Sequence, residues 1–118
     1  MTGKFVAREK SRAFALRVVK LCRLLQERDR EYVLSRQLLR SGTAVGALIR
    51  EAEQAESRAD FVHKLSIALK EANETEYWLD LLTASGYLDS RHGQSMMADI
   101  EELLKILTAI IRTTKSRR

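Results

Sequence analysis

The 118-residue chain has no proline, five glycines and one cysteine, and only 6% of it is aromatic. Proline and glycine punctuate turns and sheets, so their scarcity argues for long helices joined by short turns. The lone thiol, Cys22, excludes an intramolecular disulfide. No apolar run approaches the roughly 18 residues of a membrane span. The opening residues, MTGKFVAREKSRAF, carry charge where a signal peptide would be apolar. A cytoplasmic protein with no membrane partner is therefore expected.

The chemistry of catalysis is equally thin. His63 falls on the polar side of its helix and His92 lies in the first turn of another, with no ligand framework around either, so no metal site is expected. Cys22 faces the core, where a thiol is usually filler. Gly42 and Gly46 are mid-helix rather than in a phosphate-cradling loop, and no carboxylate cluster is spaced for a metal acting on nucleic acid. The expectation is a protein that binds, without enzymatic activity and without a cofactor.

What the chain does have is apolar residues at helical spacing, 45% of the total, enough for one core in a single domain spanning 1–118. Four amphipathic segments are predicted, at about 11–28, 31–56, 58–85 and 89–113, with a frayed basic tail at 114–118. Their core stripes are Phe14, Val18, Leu21, Cys22 and Leu25; Leu34, Leu38, Ser41, Val45, Ile49 and Ala52; Phe61, Leu65, Ala68, Leu69, Ala72, Leu79 and Leu82; and Met96, Met97, Ile100, Leu103, Leu104, Leu107, Ile110 and Ile111. Ser57 with Asp60 reads as a capping box, Gly86 as a left-handed helix stop, and Asp89 as the next cap. Four such helices with short joints pack most simply as an all-α, antiparallel up-down-up-down four-helix bundle.

Several residues do not fit a lone bundle. Leu16, Val19, Leu24, Trp78, Leu81 and Ile106 lie off their core stripes, more apolar surface than a monomer usually exposes. Gly42 and Gly46, four apart in the second helix, cost helix stability and call for a close helix approach or a kink. All eight are candidates for an oligomer interface. Glu76 sits on the apolar face of the third helix, where a carboxylate needs a partner. A basic or amide side chain is the structural reading, and a general base or ligand the functional one.

Charge is segregated. Residues 1–50 hold 12 Lys/Arg against 4 Asp/Glu, residues 51–111 hold 5 against 12, and the last seven residues add four cations. Basic helices pairing with acidic ones, or a basic surface for phosphates, would both produce this pattern. The candidate phosphate-binding residues are Arg12, Arg17, Lys20 and Arg23 on the first helix. On the second they are Arg36, Arg40 and Arg50, in line with Thr43 and Ala47 opposite the core. A protein–protein scaffold, with these arginines meeting acidic groups of neighbouring subunits, is the alternative.

The stretch Tyr32-Val33-Leu34-Ser35-Arg36-Gln37-Leu38-Leu39-Arg40-Ser41-Gly42-Thr43-Ala44-Val45-Gly46-Ala47 resembles the signature of the bacterial four-helix bundle proteins of 23S ribosomal RNA intervening sequences. So do Ile49-Arg50-Glu51-Ala52, Phe61, Lys64-Leu65, Ile67-Ala68-Leu69-Lys70-Glu71-Ala72 and Glu74-Thr75-Glu76-Tyr77-Trp78-Leu79. The likeness covers about residues 10–112. One departure is Leu48, where the family often has asparagine. The resemblance implies an antiparallel bundle assembled as a ring-like homopentamer. The family also includes the accessory protein of diversity-generating retroelements, a basic ring. That relation implies RNA or DNA and a reverse transcriptase as partners.

Overall fold

A computed structural model describes residues 2–117, which form four helices: α1 (Thr2–Asp29), α2 (Val33–Ala52), α3 (Arg58–Ala84) and α4 (Ser90–Ser116). There is no strand among the described residues. The helices pack side by side in a body of 50 × 22 × 19 Å.

Each joint has an identifiable cause. Arg30 takes a positive φ of 54°, and the Glu31 N–H returns to the Leu25 carbonyl, ending α1. Tyr32 offers α2 no side-chain cap, and Glu31 supplies it instead. Its buried carboxylate accepts from the Leu34 and Ser35 N–H groups at 3.0 and 2.7 Å, placing an anion at the positive end of the helix. Ser57 Oγ accepts from Asp60 N, while the Asp60 carboxylate reaches Glu56 N, one residue earlier than a standard capping box. At the end of α3, Gly86 sits at φ +87°, and the Tyr87 and Gly86 N–H groups return to the Leu82 and Thr83 carbonyls. This is the paired hydrogen-bond pattern that a left-handed glycine permits. Asp89 then accepts from His92 N at 2.8 Å to start α4.

Three helix bounds differ from expectation. α1 begins at Thr2 rather than near residue 11, because Ala7 and Ser11 are small residues buried on its inner face. α2 stops at Ala52 instead of 56, giving way to tight turns from Gln54 N to Glu51 O and from Ala55 N to Ala52 O. α4 continues to Ser116, so most of the expected frayed tail is helical; Arg118 lies outside the described residues.

The core runs the length of the body through Phe14, Val18, Leu25, Leu38, Val45, Leu79, Leu82, Met96, Ile100, Leu103 and Leu107. Leu34, Phe61, Leu69, Met97, Leu104, Ile110 and Ile111 only flank it, half-buried. Leu48, the residue that departs from the resemblance, is also half-buried against this core. Neighbouring helices meet through Cys22 and Ser35, Val18 and Gly42, and Ser11 and Gly46 between α1 and α2. Ser41 with Thr75 and Glu51 with Lys64 join α2 to α3. Thr83 lies against Gly93 between α3 and α4. Arg17 with Asp99 and Lys10 with Glu102 join α1 to α4.

Gly42 and Gly46 are taken up inside the chain. A Cβ on Gly42 would lie 2.9 Å from Val18 Cγ2, and one on Gly46 would lie 3.4–3.6 Å from Ser11 Oγ and its backbone carbonyl. The reading of Gly42 as a subunit-interface residue is therefore corrected to a close approach of α1 to α2, while Gly46 makes only ordinary contact with Ser11. Val18 is β-branched and held to one rotamer in a helix, so it cannot swing clear. Gly42→Ala is expected to lower the urea midpoint. Overpacking costs about 1–3 kcal/mol, more than the up to ~1 kcal/mol that alanine returns in helix propensity. In a Val18→Ala background the same substitution should become neutral or stabilising, and a double-mutant cycle measures the difference.

Candidate nucleic-acid interface

The cations expected on one basic face divide into two groups. Arg17 pairs with Asp99 at 2.6 Å and also reaches Ser95 Oγ. Arg40 crosses to α3, where it holds Glu71 at 3.1 Å and also binds Glu74. The Trp78 indole N–H donates to Glu74 at 2.9 Å, and this bond together with Arg40 holds the Glu74 carboxyl below its usual range. These two arginines serve the fold, consistent with the internal pairing of basic and acidic helices. Arg12, Lys20, Arg23 and Arg36 are exposed, with no carboxylate partner among the described residues. Arg36 instead lies 5.6 Å from the Tyr32 ring centroid.

The remaining cations converge. Between α1 and α2 lies a groove of about 250 Å³, lined by Arg8, Arg12 and Arg50 and floored by Ser11, Ala15, Gly46 and Ala47. The close helix approach makes the floor shallow and small-sided, so the three arginines border one space. Glu53 stands 3.8 Å from Arg8 and 4.0 Å from Arg50, at the edge of ion-pair range, while Arg12 is without a carboxylate. Exposed pairs this loose contribute only about 0–1 kcal/mol, so a phosphate can compete with Glu53 for the arginines. Arg8 escaped the sequence reading because it precedes the expected start of α1. The signal was there, since Arg8 and Arg12 are one helical turn apart.

The apolar candidates also divide. Leu16, Val19 and Leu24 are exposed on α1, interleaved with Arg12 and Arg23. Trp78, Leu81 and Ile106 are half-buried, with Trp78 and Ile106 packed against their own core. The largest exposures include Phe5 at 64% and Val33 at 72%, neither of which the stripe pattern singled out.

Glu76 is half-buried rather than buried, and among the described residues no basic side chain pairs with it. Its charged neighbour is Glu101, so the expectation of a partner is corrected. Burial first, and the Glu101 charge second, push the Glu76 carboxyl above its usual range. Burial likewise pushes the Cys22 thiol up to about 12, with the charge of Glu31 adding to it, and its Sγ donates to the Ser35 carbonyl at 3.2 Å. A thiol so held is protonated and unreactive. Among the described residues no group of three or more His, Cys, Asp or Glu is placed to hold a metal ion, and no helix is long and apolar enough to cross a membrane.

Two measurements follow from these groups. A carboxyl raised on folding contributes stability that is full below its unfolded pKa and lost as pH rises through the folded value. Glu76→Gln should therefore stabilise the protein at neutral pH, with the gain shrinking on acidification below the carboxylate range. Cys22 should resist iodoacetamide at neutral pH in the folded protein and react once urea unfolds it. Its raised pKa should also make stability fall as pH climbs above about 8.5, the ordinary thiol value.

Comparison with known proteins places this geometry in a family. Over 93% of its length the chain superposes on a protein of unknown function from the S23 ribosomal protein family of Bacteroides thetaiotaomicron VPI-5482. The two are 52% identical, the match spans 98% of that chain, and the TM-score is 0.92. No curated protein matches. Residues 4–109 fit the family model described as 23S rRNA-intervening sequence protein. On the extent of that match the chain belongs to the 23S rRNA-intervening sequence protein family.

Proposed function

We propose that this protein is a non-enzymatic, oligomeric adaptor of the cytoplasm that binds RNA or DNA through the basic surface of α1 and α2. The observation that carries the reading is the convergence of Arg8, Arg12 and Arg50 on one shallow groove. Lys20, Arg23 and Arg36 extend the positive surface beyond it. Guanidinium groups meet phosphate oxygens in a fixed fork, and a small-sided floor lets a backbone approach. Affinity of this kind comes from counterion release and carries little sequence preference, so RNA and DNA both qualify.

The assembly in this reading is the homopentameric ring that the resemblance implies, built from up-down-up-down bundles. Residue numbers that rise on one helix fall on its neighbour in every pairing described above, which supports that topology. Exposed Leu16, Val19 and Leu24 support a further burial partner. A reverse transcriptase is the third component that the resemblance adds. The competing reading is a protein–protein scaffold, favoured by the mixing of Leu16 and Val19 with Arg12 and Arg23 on one helix face.

Fluorescence anisotropy with a labelled single-stranded RNA and its DNA counterpart tests the proposal. Affinity should fall steeply with salt, and replacing Arg12 and Arg50 by glutamine should weaken binding and reduce the salt slope by about one per lost phosphate contact. Arg40→Gln, at an arginine already held by Glu71 and Glu74, should change affinity little. Binding that ignores both salt and these arginines removes the nucleic-acid reading. Dissociation of the oligomer on the Arg12 and Arg50 substitutions, seen by light scattering, favours the scaffold.

A further inference from the structure

We propose that the cavity at the end of the helix stack where α1 begins and α4 ends binds a small apolar carboxylic acid, a site separate from the arginine groove. Its cause is a mismatch of helix lengths. α2 stops at Ala52, while α1 starts at Thr2 and α4 runs on to Ser116. The turn from Glu53 to Ser57 crosses the gap without filling it. The result is a cavity of about 660 Å³, with Ala52, Phe61, Ala109 and Ile110 among its walls. That size falls within the roughly 300–1,000 Å³ typical of small-molecule pockets.

The rim supplies the polar half of the match. Lys4, Arg58 and Arg117 all border the cavity, and none has a carboxylate partner among the described residues. The Arg58 guanidinium donates to the Arg117 carbonyl, which fixes its head between the start of α3 and the end of α4. Lys4 Nζ lies 4.5 Å from the Phe61 ring centroid, its ammonium against the aromatic wall. Among the described lining residues the only carboxylate, Glu53, is already shared by Arg8 and Arg50. An apolar body with one negative charge satisfies both the walls and the rim. A neutral hydrocarbon leaves the cations unused, and a cation meets repulsion.

Decanoate is the probe, titrated into the full-length protein by calorimetry and followed by amide NMR. Expected are saturable one-to-one binding and shifts centred on Ala55, Phe61 and Ile110. Decyltrimethylammonium, with the same tail and the opposite charge, should bind about tenfold or more weakly, the scale of one lost charge-assisted hydrogen bond. Arg58→Gln should weaken decanoate by a similar factor while leaving decanol unchanged. Thr113→Trp, a filling substitution at an exposed lining position, should abolish binding with thermal stability retained. Replacing Arg12 alone by glutamine should not affect decanoate, which separates this site from the nucleic-acid proposal. Equal binding of the two charged tails, shifts centred on Leu16 and Val19, or no saturation in the millimolar range overturns the proposal.

Discussion

The contact between Val18 and Gly42 sets the spacing on which the rest of the molecule depends. Gly42 has no Cβ, so the isopropyl group of Val18 fills the space a side chain would occupy, and one turn later Gly46 lies in ordinary contact with Ser11. Each glycine forfeits up to about 1 kcal/mol of helix propensity, and close packing between the helices offsets it. With the two helices this near, Cys22, Gln26 and Ser35 become a sealed polar seam tied by hydrogen bonds of 3.1–3.2 Å. On the outer side, the same approach makes the groove floor shallow enough for Arg8, Arg12 and Arg50 to border one space. A packing constraint and a candidate binding surface thus share one cause.

Charge is spent in two ways along the chain. The basic half and the acidic half face each other through Lys10 and Glu102, Arg17 and Asp99, and Arg40 and Glu71. Such exposed pairs contribute little individually, but they orient basic helices against acidic ones. The cations that these pairs leave without a carboxylate among the described residues lie on both sides of the molecule: Arg12, Lys20, Arg23 and Arg36 on α1 and α2, and Arg58, Lys70, Arg91, Lys105 and Arg112 on α3 and α4.

Much of the fold was legible because periodicity reports burial directly. Phe14, Val18, Leu38, Val45, Leu79 and Leu103 fell on the expected stripes and are buried, Ser57 and Asp89 cap helix starts with their side chains, and Gly86 stops α3 through the left-handed backbone that glycine permits. The first turns of α1 were not legible because their inner residues, Ala7 and Ser11, are small and carry little hydrophobic signal. Glu31 was hidden for another reason. It caps α2 from outside the helix, and a carboxylate there looks like any solvated charge until its two N–H donors are seen. Glu76 misled in the opposite direction, since its angular position is apolar while its side chain retains access to solvent. The arginines were identifiable by type, but which of them face carboxylates depended on side-chain direction across helices, which sequence spacing does not encode.

The four pairings between helices are unequal, and the sparsest is the one that joins α1 to α4. It is also the most distant in sequence, with Arg17 and Asp99 separated by 82 positions. The other three seams join helices linked by short turns, where little chain entropy is lost on closure. The α1–α4 seam closes the circuit only after nearly the whole chain has been placed, so it belongs to the late side of the folding barrier and to the low end of the local opening energies. A break along that line would leave the α2–α3 pair intact, with α1 and α4 as the leaves of a clasp.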